Sequence, residues 1–245
     1  MGPGMQLRDP VRKPARRHPI ITLDGPAGSG KSTTAREVAR RLGFRHLDSG
    51  ALYRALTFAL LSAGVSEEEW PELSAERLNR FPVRLRPVEG RFQVLLGDRV
   101  LEEELRSPEV TAGVSPLSAL PAVRAWLLEA QRRAGEEGGL VADGRDMGTV
   151  VFPHAEVKVF LIADLRERAR RRFLERENRN PSPEELVVEA GRIQERDARD
   201  SGRQLAPLKK ADGALEVDTS DLSFEAQVSI IVNFVRNLDW GRHLP

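Results

Sequence analysis

The chain contains no cysteine, and only five of its 38 basic residues are lysine. Without cysteine there is no disulfide bridge, no thiolate zinc site and no cysteine nucleophile. The four histidines do not have the spacing of a metal site: His18, His46, His154 and His243. Since no run of about 18 apolar residues occurs, the sequence also predicts no membrane-spanning helix.

An excess of charge of either sign is missing as well. The 38 basic residues are balanced by 37 acidic ones, which leaves a net charge of +1. So small a net charge excludes bulk attraction to nucleic acid or to a membrane surface as the main activity. The basic opening segment is not followed by the apolar core of a signal peptide, because Asp24 and Gly25 interrupt it. We therefore expect a soluble protein of the cytoplasm.

The 245 residues suffice for one large or two modest domains with a sizeable core. Residues 1–17 hold three prolines and five cations with little apolar periodicity, which predicts a disordered basic leader. Beyond it, apolar strands alternate with helical segments. This alternation predicts an α/β fold with a parallel sheet of about five strands flanked by helices.

Between residues 65 and 107 the pattern changes. Residues 83–88, 91–96 and 99–101 have the composition of short strands and are separated by Glu-Gly and Gly-Asp turns, which predicts a small antiparallel β-meander. We interpret residues 65–107 as an inserted subdomain. The core then comprises two segments, residues 18–64 and 108–245.

The most specific motif is Gly25–Ser32, which fits GxxxxGK[ST] between a predicted strand and a predicted helix. Glycines let backbone N–H groups curl around a phosphate, at which the helix also aims the positive end of its dipole. Lys31 is expected to reach the β- and γ-phosphates, and the Ser32 hydroxyl to ligate Mg²⁺. The motif predicts that ATP binds to Gly25, Pro26, Ala27, Gly28, Ser29, Gly30, Lys31, Ser32 and Thr33.

Other features bear on the class of P-loop protein. No N-K-x-D guanine reader follows a later strand, which argues against a GTPase. Asp143 ends a predicted buried strand, so an ATPase motor is not excluded by spacing, and this carboxylate either orients Mg²⁺ through water or caps the strand end. Phosphoryl transfer requires cations around the migrating group more than it requires a base. Five segments offer them: 49–54, Arg124, Arg145, 166–176 and 196–203.

Three of these segments are distinctive: Asp48-Ser-Gly-Ala-Leu-Tyr-Arg54, Asp143-Gly-Arg-Asp-Met-Gly-Thr149 and Arg196-Asp-Ala-Arg-Asp-Ser-Gly-Arg203. Together with the P-loop, and in this order, they resemble bacterial cytidylate kinases from Ile20 to about Leu238. The resemblance implies transfer of the ATP γ-phosphate to CMP and dCMP, assisted by Mg²⁺. It further implies a short helical lid at about 165–180 and a monophosphate-binding role for the insertion.

The resemblance also implies roles for individual residues. The acceptor-binding positions are Ser49, Arg54, Ser115, Arg124, Arg145, Asp146, Arg196, Asp200 and Arg203. The catalytic positions are Lys31, Arg145, Arg168, Arg172 and Arg196. Within the first set, Ser115, Arg124 and Asp146 match the group that reads cytosine. An aspartate accepts a hydrogen bond from the N4 amino group of cytosine, whereas uracil presents an oxygen there.

Alternatives remain for several of these positions. Ser118 lies close to Ser115 in sequence and competes with it. The arginines at 166, 170 and 176 fit a solvated helix face, whereas Arg168 and Arg172, four residues apart, share one face. Two other functions stay open: a kinase of a different small acceptor, such as another nucleotide or a sugar acid, and a regulatory or RNA-associated nucleotide-binding module. We expect a monomer, because no apolar stripe is left over.

Overall fold

The computed structural model describes residues 18–238, so the predicted leader at 1–17 lies outside the described residues. The strands are β1 (Ile20–Asp24), β2 (Arg45–Asp48), β3 (Val83–Val88), β4 (Arg91–Leu96), β5 (Arg99–Val100), β6 (Leu140–Gly144), β7 (Val157–Ile162) and β8 (Leu215–Asp218). The α-helices are α1 (Lys31–Leu42), α2 (Ser49–Ser62), α3 (Ala75–Leu78), α4 (Pro108–Leu117), α5 (Pro121–Ala134), α6 (Leu165–Glu177), α7 (Pro183–Ser201) and α8 (Phe224–Asn237). Among the residues described, no helix is long and apolar enough to cross a membrane.

The central sheet has the order β3-β4-β2-β6-β1-β7-β8, with β5 paired to β4. The five strands from β2 to β8 are mutually parallel, which confirms the predicted α/β class and strand number. The β3-β4-β5 meander is antiparallel. It joins the parallel strands through one pairing, between His46 on β2 and Arg91 on β4, so the predicted insertion extends the edge of the central sheet.

Both faces of the parallel sheet are covered, as expected when helices connect parallel strands. On one face, Ile21 and Leu23 of β1 pack with apolar residues of α1 and α8. On the other face, Ile20 packs with Leu47 and Met147. A separate apolar cluster joins α2, α4 and α5 to the meander. Since all parallel strands run the same way, their carboxyl ends, and the loops that follow them, meet at one edge.

Local sequence signals explain several helix ends. Helix α1 begins after Gly30 and ends at Gly43; both have the positive φ that glycine adopts without strain. Helix α7 begins with a capping box, in which Ser182 and Glu185 each bond to the other's backbone N–H. Helix α4 is absent from the sequence-based prediction. It contains Gly113 and Pro116, which disfavour helix, and its stability comes from burial of one apolar face.

We expect Gly25→Ala to destabilise the fold, because Gly25 has a φ of +153° and a Cβ there would lie 2.1 Å from the carbonyl oxygen of Leu161. Backbone strain and steric overlap together are expected to lower the free energy of unfolding by roughly 2–5 kcal/mol. Urea denaturation measures this. Gly90→Ala is the matched control, since Gly90 also has a positive φ but has no atom within 4 Å of its Cβ position. Equal losses for both variants would contradict the steric argument.

Candidate active site

The P-loop, residues 25–32, connects the carboxyl end of β1 to the first turn of α1. Gly28 and Gly30 have φ values of +76° and +84°, which turn the chain at the start of the helix. Gly30 makes no side-chain cap hydrogen bond, so the first N–H groups of α1 are left for an anion. Close packing leaves no room for a side chain at Gly28, because a Cβ there would lie 2.9 Å from the carbonyl oxygen of Arg168.

Lys31, the first residue of α1, is buried with its ammonium group inside the loop. Its Nζ donates to the carbonyl oxygen of Pro26 at 2.5 Å and lies 3.3 Å from Ser29 Oγ. Burial lowers the pKa of Lys31 well below its ordinary value, and the positive charge of Arg145 adds to this effect. A phosphate beside Nζ would therefore stabilise the charged form of the lysine.

Ser32 is linked to Asp143 of β6 and, through it, to His46 of β2. Its Oγ donates to Asp143 Oδ2 at 2.5 Å, and Asp143 Oδ1 lies 2.7 Å from Nε2 of the buried His46. No cluster of three potential metal-ligating side chains occurs in the part of the chain that the structure describes. Ser32 of the loop and Asp143 of β6 offer one hydroxyl and one carboxylate, the oxygen donors that Mg²⁺ accepts when substrate phosphates and water complete its coordination. These residues fit a magnesium ion bound together with ATP.

Asp200 on α7 is the centre of a second network. Its carboxylate accepts from Arg145 Nε at 3.0 Å, from Arg203 Nη2 at 2.5 Å and from Ser115 Oγ at 3.3 Å. Although burial opposes the effect, Arg145 and Arg203 hold the pKa of Asp200 below its ordinary value. Arg203 also donates to Ser118 Oγ at 2.7 Å. Both serines considered from the sequence therefore lie within one network.

Asp146 and Arg124 form a buried ion pair beside this network. Arg124 also donates to the carbonyl oxygen of Ser118 at 3.1 Å and lies 5.7 Å above the ring of Tyr53. Burial raises the pKa of Asp146, and Arg124 opposes that shift. The pair thus presents a carboxylate and a guanidinium together, which can bind donor and acceptor groups on one edge of a base.

Arg196 of α7 has a buried Nε with no hydrogen-bond partner. The neighbouring cations are Arg145, Arg54 and Arg172, and the carboxylate of Asp200 is close by. Burial, reinforced by Arg145 and Arg54, lowers the pKa of Arg196 to about 9. A buried donor among cations is costly unless an anion binds to it, so this position fits a phosphate.

The remaining predicted residues lie around these networks. Arg54 donates through Nη1 to the Leu105 carbonyl oxygen and to Thr111 Oγ1, both at 3.1 Å. Ser49 is buried and donates to Gln131 Oε1 at 3.2 Å, with no bond to the Asp200 network. Its predicted contact with the acceptor stays a prediction.

The two lid arginines have protein partners. Arg168 is buried; it donates to the carbonyl oxygens of Ala163 at 2.9 Å and Ala27 at 3.0 Å and pairs with Asp197. Arg172 pairs with the buried Glu189 at 3.0 Å. Contact of either arginine with a phosphate stays a prediction, although the charge of Arg172 acts on both Arg54 and Arg196.

Comparison with known proteins shows the family of the chain. The cytidylate kinase family model matches residues 21–237. The chain belongs to the cytidylate kinase family. It is 46% identical over 224 residues to a cytidylate kinase of Pseudomonas paraeruginosa (strain DSM 24068 / PA7), with 91% of this chain and 97% of that protein covered.

Bifunctional relatives are similar as well. A bifunctional pantoate ligase/cytidylate kinase of Synechococcus elongatus is 44% identical over 234 residues, which cover 94% of this chain. This chain spans 44% of that relative's length. Among solved structures, a gluconokinase from Sinorhizobium meliloti 1021 gives a TM-score of 0.44 at 16% identity, with 94% of this chain and 98% of that chain covered, a likeness too weak to bear on fold or function.

Sequence reasoning missed Asp24, which connects the P-loop strand to the segment that carries Arg145 and Asp146. This buried carboxylate accepts from the backbone N–H groups of Met147 at 2.8 Å and Gly148 at 2.7 Å. Burial raises its pKa from 3.8 to about 7 despite these two hydrogen bonds. The available signal was an acid at the end of a mostly apolar strand, where an unbonded carboxylate would be costly.

We expect Asp24 to make stability fall as pH rises from about 4 to about 7. Because its pKa is raised in the folded state, the folded protein holds this proton more tightly than the unfolded chain in that window. As the pH rises through this window, the free energy of unfolding of Asp24→Asn is therefore expected to increase relative to that of wild type by on the order of 3 kcal/mol. Any pH-independent effect of the substitution adds a constant and does not change this difference. Urea denaturation across this pH range measures the difference.

Asp218→Asn is the control with the opposite sign. Asp218 is exposed, and hydrogen bonds from Ser220 lower its pKa, so its contribution is lost only as pH falls below the ordinary value. A wild-type-minus-variant difference for Asp24 that is constant from pH 4 to pH 7 would contradict the raised pKa.

Proposed function

We propose that the protein transfers the γ-phosphate of ATP to CMP, giving ADP and CDP, and that it also accepts dCMP. The single observation that carries this proposal is the buried, unpartnered Nε of Arg196 beside Arg54, Arg145 and Arg172. The Asp146–Arg124 pair and the Asp200 network lie next to this cationic position. Membership of the cytidylate kinase family supports the choice of acceptor.

The triphosphate is held by the P-loop. Its backbone N–H groups, other than that of Ala27, which donates to Asp197, face the β-phosphate together with the N-terminus of α1. The residues from Gly25 to Thr33 form the wall of this site. Lys31 turns from the Pro26 carbonyl oxygen to the phosphates, where its charge is stabilised. Ser32 would hold Mg²⁺, with Asp143 orienting the hydroxyl from Oδ2. When bound, Mg²⁺ neutralises charge on the phosphates of ATP.

The acceptor phosphate is held by Arg196, Arg145 and Arg54. A phosphate that accepts from the free Nε of Arg196 restores the charge balance that burial among cations disturbs. Asp200 and Arg203 then bind the sugar, which lies between phosphate and base. Ser49 joins this site from the start of α2.

The base is read by Asp146, with Arg124 and Ser115 completing the set. Asp146 accepts from the N4 amino group of cytosine, and Arg124 donates to the ring acceptors N3 and O2. Uracil places O4 against the carboxylate, and this leaves a buried polar group unpaired at a cost of about 1–3 kcal/mol. Cytosine is therefore preferred over uracil by roughly ten- to a hundredfold for each missed partner.

The reaction itself needs positioning and charge more than proton transfer. An oxygen of the acceptor phosphate attacks the γ-phosphorus in line, the bond to the bridging oxygen of the β-phosphate breaks, and ADP leaves with that electron pair. The attacking oxygen is already anionic, so no side chain acts as a base. Lys31 and Arg172 stabilise the charge on the transferred group, and Arg168 supports them from beneath the loop.

Closure of two segments is part of the proposal. Residues 165–180 act as the lid over ATP, and residues 65–107 act as the insertion that covers the monophosphate. Closure excludes water, which would otherwise compete as acceptor. In this proposal the protein is a cytoplasmic monomer. Its near-neutral net charge supports action on small molecules rather than on nucleic acid.

We expect wild-type protein with ATP and Mg²⁺ to form ADP rapidly with CMP and dCMP, and slowly with UMP, AMP and GMP. Asp146→Asn is expected to lower kcat/KM for CMP about ten- to a hundredfold and to narrow the CMP-to-UMP ratio, because Asn presents a donor where Asp only accepts. Initial rates of ADP formation with each monophosphate measure both effects.

Two further variants give the expected upper and lower limits of activity in this experiment. Lys31→Ala is expected to lower kcat about a hundredfold or more with every acceptor. Asp98→Asn is the matched control, because Asp98 is a fully exposed acid in the β4–β5 turn. ADP formation that no monophosphate stimulates would contradict the proposed transfer and favour a nucleotide-binding regulatory module; equal stimulation by all five would contradict the cytosine reader.

A further inference from the structure

One residue of the P-loop, Ala27, is held through both of its backbone polar groups. Its N–H donates to Asp197 Oδ1 of α7 at 2.9 Å, and its carbonyl oxygen accepts from Arg168 Nη1 of α6 at 3.0 Å. Arg168 and Asp197 also form an ion pair with each other. The Ala27 peptide groups and these two side chains therefore form a closed ring of hydrogen bonds, which we call the Ala27 clasp.

Close packing reinforces the clasp. The side chain of Ala27 packs in a small buried cluster with Ala169 of α6 and Ile193 of α7. Arg168 is further fixed by its hydrogen bond to the Ala163 carbonyl oxygen at 2.9 Å. Because a packed interior transmits displacement rather than absorbing it, a shift of the loop at Ala27 must shift α6 and α7.

Each side chain of the clasp lies within one helical turn of a residue assigned to substrate. Asp197 directly follows Arg196 and precedes Asp200 by three residues on α7. Arg168 precedes Arg172 by four residues on α6. The clasp thus joins the loop that holds the triphosphate to the two helices that carry the acceptor and lid groups.

Asp197 also contributes charge to the loop. Burial lowers the pKa of Lys31, and the negative charges of Asp143 and Asp197 oppose that shift. Of these two carboxylates, Asp143 is bonded to Ser32 and Asp197 is bonded to Ala27. Asp197 therefore acts on the loop through its backbone geometry and through the charge state of its lysine.

We infer that Asp197, paired with Arg168, is a positioning residue that couples binding of the ATP phosphates in the P-loop to placement of Arg196 and Asp200 for the acceptor. The inference rests on the proposed function, since it assigns the acceptor to those two residues. Coupling of this kind is reciprocal: ATP tightens acceptor binding, and the acceptor tightens ATP binding by the same factor.

The test is a binding cycle on the full chain, measured by titration calorimetry. The Kd of CMP is determined alone and with saturating Mg²⁺ and the β,γ-imido analogue of ATP, and the ratio of the two values is the coupling factor. We expect a wild-type factor of about 10, within the usual range for coupled sites. In Asp197→Ala the factor is expected to fall to within about twofold of 1, while the Kd of CMP alone changes less than about threefold.

Further variants separate coupling from a merely structural effect. Glu195→Gln removes an exposed acid on the same helix and is expected to keep the wild-type factor. Asp197→Asn retains an oxygen for the Ala27 N–H but loses the charge, so its coupling factor is expected to lie between those of wild type and Asp197→Ala. If Asp197→Ala does not fold, Asp197→Asn replaces it in the test. Combining Arg168→Ala with Asp197→Ala is expected to add little, because both changes break the same ring.

Two kinds of failure are distinguishable. If wild-type protein neither binds nor phosphorylates CMP, the proposed function is wrong. If CMP is phosphorylated but the wild-type factor is 1, or Asp197→Ala keeps the wild-type factor, the inference is overturned while the proposed function stands. An equal loss of coupling in Glu195→Gln would likewise overturn the role of Asp197.

Discussion

The architecture of the site depends on the need to neutralise buried arginine charge. Arg196 lies near Arg54, Arg145 and Arg172, with the carboxylate of Asp200 close by, and its Nε has no partner. Burial and these neighbouring cations lower the pKa of Arg196, as burial lowers that of Lys31. In the function we propose, anions from outside the chain compensate both buried charges, and phosphate binding is favourable at two adjoining positions.

The parallel sheet is what brings the acids of the site together. Asp24, Asp48 and Asp143 stand at the carboxyl ends of β1, β2 and β6, and the register places Asp48 beside Asp143. From this edge, Asp143 orients Ser32, and Asp24 bonds to the backbone just beyond Asp146. The P-loop and the segment that carries Arg145 and Asp146 are thus each fixed to the central sheet by a buried carboxylate, which limits how far these two parts of the candidate site can move apart.

Several elements of the fold and of the candidate site are predictable from local sequence. The P-loop follows from a short-range motif, and the Gly43 C-cap of α1 and the capping box of α7 obey short-range rules. Contacts between distant segments were not accessible: Ala27 and Asp197 are separated by 170 residues, and no local pattern predicts their hydrogen bond. Helix α4 was missed because its stability comes from packing that overrides the Gly and Pro within it.

The most direct test of the account is the state of the Arg196 Nε–H group, followed in a ¹H–¹⁵N spectrum of arginine side chains and assigned with Arg196→Lys. If this donor binds the acceptor phosphate, its resonance shifts on addition of CMP and stays unchanged with cytidine, which has no phosphate. A resonance that CMP leaves unchanged, or that cytidine shifts equally, would contradict the assignment of Arg196 to the acceptor phosphate.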